Sequence, residues 1–189
     1  MMDSNQPIDE GLLRHMVLST IRKNMRKFKD EYGPDVVIAV DMKDSWRRTA
    51  FPYYKGNRKK SSKINWTKVY EHFNTIIAEL EEFFPYRVVY VEKAEADDVI
   101  AVLVKHLSAG SEDSIVMTSE VEPIIIISGD KDFQQLHRYP NVKQWSPVMD
   151  KFLKTSDPEA FLIDHVINGD KGDGVPNVLS DDDTYTSAT

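Results

Sequence analysis

Three short runs of uninterrupted apolar residues limit the architectures open to this chain. They are Val36-Val37-Ile38-Ala39-Val40, Val88-Val89-Tyr90-Val91 and Ile124-Ile125-Ile126-Ile127, the last followed by Ser128. A strand that is apolar at every position, rather than at alternate ones, is buried on both faces. A parallel sheet covered by helices achieves this. The intervening segments have the matching helical period. Leu12, Leu13, Met16, Val17, Thr20, Ile21 and Met25 predict a helix over 8–32, closed by Gly33-Pro34. Val69, Phe73, Ile76, Ile77 and Leu80 predict one over 66–84, and Val99, Ile100, Leu103, Val104 and Leu107 one over 95–107. Strands at 36–40, 87–91, 124–128 and 142–145, with further helices from 132 and over 158–168, complete an alternating order. The expected fold is α/β: three layers, α/β/α, around a mostly parallel sheet.

Acidic residues follow the apolar runs. Asp41 closes the first. Glu95, Asp97 and Asp98 follow the second. Asp130 and Asp132 follow the third, and Asp170 and Asp173 lie in a glycine-spaced turn, Gly169-Asp170-Lys171-Gly172-Asp173-Gly174. Strand C-termini in an open parallel sheet share one edge, where ligands bind. Each acid alone has an ordinary explanation: a first-turn acid favoured by the helix dipole, a helix cap, or a turn residue. Four such sites predicted on one edge argue for a shared role. Converging carboxylates repel unless a cation holds them, and a divalent metal with oxygen ligands is the natural one. An EF-hand calcium loop is excluded, since Phe133, Gln134 and Gln135 follow Asp132 where further ligands would be needed.

The net charge of −7 conceals a segregation. Residues 43–63 carry eight Lys/Arg against one acid, whereas the remainder holds 16 basic and 30 acidic residues. Arg47, Arg48, Lys55, Arg58, Lys59 and Lys60 are interleaved with Trp46, Phe51, Tyr53 and Tyr54. Cations bind phosphates and aromatic rings stack on bases, so this mobile loop or short helix is a candidate single-strand grip. A solvated charge run is the plain alternative, but it leaves four aromatics in a loop unexplained. There is no Cys for a disulfide or thiolate site. No apolar run is long enough to span a membrane, and no leader is apparent at the start, so a cytoplasmic protein is expected. Neither a dinucleotide-binding glycine motif nor a P-loop occurs. The five histidines have no ligand-like spacing and are assigned packing or surface roles.

In order, Asp41, Tyr54-Lys55-Gly56-Asn57-Arg58, Glu95-Ala96-Asp97-Asp98, Gly129-Asp130-Lys131-Asp132-Phe133 and Gly169-Asp170-Lys171-Gly172-Asp173 resemble the phage and bacterial 5′-nuclease, or flap endonuclease, family. His137 to Pro147 resembles its phage type. The resemblance runs from about residue 12 to about residue 180. It implies a PIN-like (Rossmann-like) core over 1–167, with 43–63 as a basic arch. It further implies two Mg2+ ions, replaceable by Mn2+, roughly 3.5–4 Å apart. Glu95, Asp97, Asp130 and Asp132 then correspond to the tighter metal site, with Asp41 beside it. Asp170 and Asp173 correspond to the looser one, supported by Asp98. Lys55 and Arg58 correspond to residues acting on the scissile phosphate, and Tyr54 to the ring that stacks the terminal base. Gly172 to Val178 resembles the opening of a helix–turn–helix segment, here 168–189, that holds duplex DNA and K+.

The family pattern also opens with an apolar strand ending in a metal-binding Asp, and Met1-Met2-Asp3 and Pro7-Ile8-Asp9 offer no such strand. The first, central strand and one ligand are therefore expected to be missing. The C-terminal DNA-binding helices are expected to be cut short, and 110–122 to be an insertion. The resemblance implies a monomeric metal-dependent 5′→3′ exonuclease or flap endonuclease. Its substrate would be DNA or an RNA/DNA hybrid with a 5′ end or flap, its process primer or flap removal, and its partners replication proteins such as a single-strand binding protein or clamp. Two rivals are a catalytically impaired metal- and nucleic-acid-binding fragment and a PIN-type endoribonuclease, the latter disfavoured by the basic arch.

Overall fold

The computed structural model describes residues 9–58, 64–108 and 121–186. In chain order the elements are α1 (Glu10–Tyr32), β1 (Val37–Ala39), α2 (Trp46–Ala50), α3 (Trp66–Phe83), β2 (Arg87–Val89), α4 (Ala96–Leu107), β3 (Ile124–Ile127), a 3-10 helix (Lys131–Arg138), β4 (Val142–Ser146), β5 (Lys151–Leu153) and α5 (Pro158–Asn168). They fall into two compact units. One comprises Met1–Ile38 with Lys59–Val89, the other Ala39–Arg58 with Tyr90–Thr189.

In the first unit α1 begins where the Asp9 carboxylate accepts from Leu12 N at 3.1 Å. It ends at Gly33, whose φ of 77° suits a residue without Cβ. It buries Phe28 and the polar Asn24, and α3 buries Val69, Ile76 and Leu80. Arg14 joins the two helices with two hydrogen bonds to Glu79, at 2.8 and 2.7 Å. β1 and β2 pair as a two-stranded sheet.

The second unit has its own sheet, ordered β3-β4-β5. β3 runs parallel to β4, with Ile124 opposite Val142, and β5 returns antiparallel, with Trp145 opposite Phe152. Ile126, Val142, Val104 of α4 and Phe133, Leu136 and Tyr139 of the 3-10 segment form the core. Phe133 and Leu136 are three residues apart, so both face inward in a three-residue-per-turn helix.

Most of the expected elements are present within a residue or two of their predicted bounds. Four features differ or gain detail. The strands expected in one sheet are hydrogen-bonded in two groups, because an apolar run reports burial and not the identity of its pairing partner. β5 has no counterpart in the sequence reading, since Lys151-Phe152-Leu153 is too short to carry a pattern. Within 43–63, Ser45 caps the one-turn helix α2 and the chain then turns from Pro52 to Asn57. Of the segment 168–189, residues 169–186 cluster with the second unit and form turns rather than helix. Lys59, Lys60 and most of the 110–122 insertion lie outside the described residues.

Candidate functional site

One cavity of the second unit, of about 580 Å³, is lined by Asp41, Asp97, Asp130, Asp132, Asp170 and Asp173. Lys55, Arg58 and Lys131 line it as well. Four separate chain segments thus deliver six carboxylates to one place. Local structure accounts for each. Asp41 leaves β1 and accepts from Ala96 N at 2.7 Å, holding the start of α4. Asp97 lies in the first turn of α4, where the helix dipole favours an acid. Asp130 caps the 3-10 helix, accepting from Asp132 N at 2.9 Å. Its own backbone is fixed from behind: the fully buried Gln144 donates through Nε2 to Ser128 O at 3.0 Å and to Asp130 O at 2.5 Å.

The fourth segment is a closed turn. Asp170 and Val175 exchange two backbone hydrogen bonds of 2.8 Å, and Asp170 Oδ1 accepts from Gly172 N at 2.6 Å. The turn starts at Gly169, with φ of 69°, where any Cβ would overlap the Pro176 carbonyl oxygen. That position needs glycine on both counts. The basic segment is fastened to this turn. Lys55, itself at φ 55°, donates its N–H to Asp173 O at 2.7 Å. Asn57 donates to Lys171 O at 2.6 Å, and Arg58 pairs with Gly172 O and the Asp173 carboxylate.

Glu95 and Asp98 take another course. Asp98 receives two hydrogen bonds from Arg47, of 2.7 and 2.8 Å, and one from Trp46 Nε1. Glu95 receives Tyr54 Oη at 2.7 Å and Lys55 Nζ at 2.8 Å. Neither acid lines the cavity. The stacking expected of Tyr54 is not open to this side chain as it stands. Its ring is 5% exposed, lies beneath the Lys55 ammonium and is bonded to Glu95 through its hydroxyl. Arg47 is likewise committed to Asp98, whereas Arg48 is exposed.

The electrostatics divide the acids accordingly. Burial works against ionisation of Glu95, but hydrogen bonds from Lys55 and Tyr54 outweigh it and its pKa is lowered. Burial is similarly outweighed at Asp98 by Arg47, and at Asp170 by Lys131 and the Gly172 N–H. At Asp97 only the Lys55 charge opposes burial, and it does not outweigh it. Burial, then the charges of Asp130 and Asp41, push it up to about 6. Burial and Asp130 also raise Asp132, whose Oδ1 is buried and accepts no hydrogen bond. Six carboxylates against three cations, with an unsatisfied buried oxygen and two acids driven toward protonation, is a donor set suited to a divalent cation.

A pH dependence follows. An acid whose folded-state pKa is raised costs stability once it ionises. For Asp97 the cost is absent below its unfolded value of about 4 and grows as pH rises toward about 6. Protons and metal then compete for the same carboxylates. Divalent-metal affinity is expected to rise between pH 5 and 7, with proton release near the lower end. Calorimetric titration of Mn2+ in buffers of different ionisation enthalpy measures both. A flat affinity across that range contradicts the assignment of Asp97 to the cation.

His165, given only a packing or surface role from sequence, sits against these acids. It lies in the last turn of α5, with Nε2 3.4 Å from both Asp132 Oδ1 and Asp170 Oδ2. The available signal is its place one turn ahead of Gly169, where α5 reverses into the acidic turn.

A model of the 5′-3′ exonuclease N-terminal, resolvase-like domain matches residues 8–164. Ribonuclease H of Enterobacteria phage T4 is 39% identical over 180 residues, covering 92% of this chain and 56% of that protein. The flap endonuclease Xni of Shewanella pealeana is 33% identical over 142 residues, covering 71% of this chain and 49% of that protein. The chain thus spans about half the length of the curated relatives it matches. Two solved structures share the fold. The T5 D15 protein co-crystallised with metal ions superposes with a TM-score of 0.69 at 20% identity, over 89% of this chain and 64% of that one. T5 5′-exonuclease with bound zinc superposes with a TM-score of 0.67 at 21% identity, over 95% and 65%.

Proposed function

The chain belongs to the 5′-3′ exonuclease family, and on that premise we propose that it takes part in metal-dependent hydrolysis of phosphodiester bonds near a 5′ end or flap, in DNA or an RNA/DNA hybrid. The observation that carries this reading is the cavity itself: six carboxylates gathered opposite Lys55 and Arg58. Bound divalent metals, Mg2+ in the first place, would supply Lewis acidity and lower the pKa of a bound water, so that its hydroxide form can attack phosphorus. Asp41, Asp97, Asp130, Asp132, Asp170 and Asp173 are the residues that would hold them. Asp98 and Glu95 act one layer out, the first anchoring Arg47 and the second anchoring Lys55 and Tyr54.

The remaining work falls to the cations. Lys55 and Arg58 are held at the cavity by Glu95 and by the 170–174 turn. Their positions suit them to the scissile phosphate, where fixed positive charge stabilises the negative charge that develops in the transition state. Exposed Arg48 adds positive charge for the nucleic-acid backbone. No side-chain nucleophile is required. Primer or flap removal during replication, in the host cytoplasm and alongside a single-strand binding protein or clamp, is the setting that fits such an activity. Residues 168–186 would bear on the duplex beside the cavity.

The test is release of labelled 5′ products from a 5′-flap duplex and from an RNA-primed duplex. The chain is compared with Mg2+, with Mn2+ and with EDTA. Metal-dependent cleavage that starts at 5′ termini supports the reading. Binding of both substrates without product would favour a metal- and nucleic-acid-binding role instead.

A further inference from the structure

We propose that His165 is a nitrogen ligand of this metal centre, and that with Asp132 and Asp170 it forms a mixed N/O position selective for a divalent transition metal over Mg2+. This rests on reading the cavity as a divalent-metal site, but adds to it a ligand and a preference that carboxylates alone do not confer.

The geometry is that of a ligand set. One atom each from Asp132, His165 and Asp170 lies within 4.8 Å of the others, and the imidazole Nε2 is 3.4 Å from each carboxylate oxygen. Bonds of about 2.0–2.2 Å to nitrogen and oxygen place adjacent ligand atoms about 3 Å apart, so small rotations suffice. The oxygen facing the imidazole is Asp132 Oδ1, the buried atom that accepts no hydrogen bond. A buried carboxylate oxygen without a donor calls for a cation. The imidazole is oriented before any metal arrives. Phe161, one turn earlier on α5, stacks on it with ring planes 12° apart and centroids 5.7 Å apart. Gly169 N–H caps the His165 carbonyl, and the Gly169 reversal then brings Asp170 back toward the ring.

Asp170 Oδ2 is also paired with Lys131 Nζ at 3.0 Å. The Lys131 side chain is 55% exposed and can swing into solvent, so a metal ion displaces it without disturbing the fold. The selectivity follows from ligand type. Mg2+ favours oxygen ligands and keeps its waters, while imidazole suits Zn2+, Fe2+ and Ni2+; Mn2+ also prefers oxygen but takes an imidazole nitrogen more readily than Mg2+ does, which makes it a usable probe.

The experiment uses Mn2+ alone with the full chain, free of nucleic acid and of imidazole buffers. Pulsed EPR reports directly bound nitrogen as a 14N coupling on Mn2+. The expected result is a histidine-type coupling in the parent protein, converted to a 15N pattern when histidine is supplied as 15N, and lost in His165→Gln. Mn2+ affinity should fall about tenfold or more in that variant, while Mg2+ affinity changes little. Bound Mn2+ with no nitrogen coupling overturns the proposal and leaves the carboxylate reading standing. Absence of bound Mn2+ overturns both. If His165→Gln does not fold, the isotope comparison in the parent protein decides.

Discussion

Asp130→Asn combined with Asp132→Asn should lower metal-dependent 5′ product release by about 100-fold or more. Loss of a partner behind a metal ligand already costs about 10–100-fold, and here two ligands are neutralised together. The change is nearly isosteric, which makes it a clean test of charge. Asparagine in place of Asp130 retains an oxygen to accept from the backbone N–H two residues on, so the cap on the 3-10 helix survives. The core beneath, built on Phe133 and Leu136, is untouched. Removing two negative charges from a cavity where like charges raise Asp97 should even relieve the metal-free protein. The expected signature is therefore loss of rate with unchanged or higher thermal stability in EDTA. The stabilisation gained on adding Mg2+ should shrink, since a ligand stabilises only in proportion to its binding. An unchanged cleavage rate in the folded double variant would sink the cavity as the site of chemistry.

The acidic edge is legible in the sequence because strand ends are marked twice, by an apolar run and by the residue that closes it. Asp41, Asp97, Asp130 and Asp132 lie where that rule places them, and the glycine spacing around Asp170 and Asp173 marks a turn without any strand. What sequence does not show is how a carboxylate spends its lone pairs. Glu95 and Asp98 are indistinguishable from Asp97 in sequence, yet the structure sends them to Lys55, Tyr54 and Arg47. The partners lie some 40–50 positions earlier, so no local spacing records them. Tyr54 misleads for the same reason: an aromatic in a basic segment reads as exposed until a distant acid takes its hydroxyl. His165 escapes notice because a lone histidine on a helix has no pattern. Only the reversal at Gly169 gives it neighbours. The pairing of strands into two sheets is equally hidden, since four isoleucines identify β3 as a strand but do not say that β4 is its partner.

Gln144→Leu should destabilise the second unit by about 2–5 kcal/mol. Two backbone carbonyls lose part-buried hydrogen bonds from Gln144 Nε2, and an orphaned acceptor costs about 1–3 kcal/mol where it is shielded from water. Leucine matches glutamine in bulk, so cavity formation adds little. One term opposes: Gln144 Oε1 accepts no hydrogen bond, and leucine removes that unsatisfied atom. It offsets at most one of the two losses. For a protein of this size 1 kcal/mol corresponds to roughly 2–4 °C, so the melting temperature should fall by about 5–15 °C. Gln144→Glu separates donation from packing. At neutral pH a carboxylate there would face two carbonyl oxygens as a third acceptor, with only the neighbouring His137 imidazole to offset its charge, which is costlier than leucine. That variant should recover stability as acid protonates the new side chain and restores one donor, whereas Gln144→Leu should not. Urea unfolding at pH 5 and pH 7.5 distinguishes the two, and equal midpoints for all three proteins would mean that Gln144 does not hold the loop. Because Asp130 O is one of the two acceptors, the same substitution should weaken metal binding without touching a ligand.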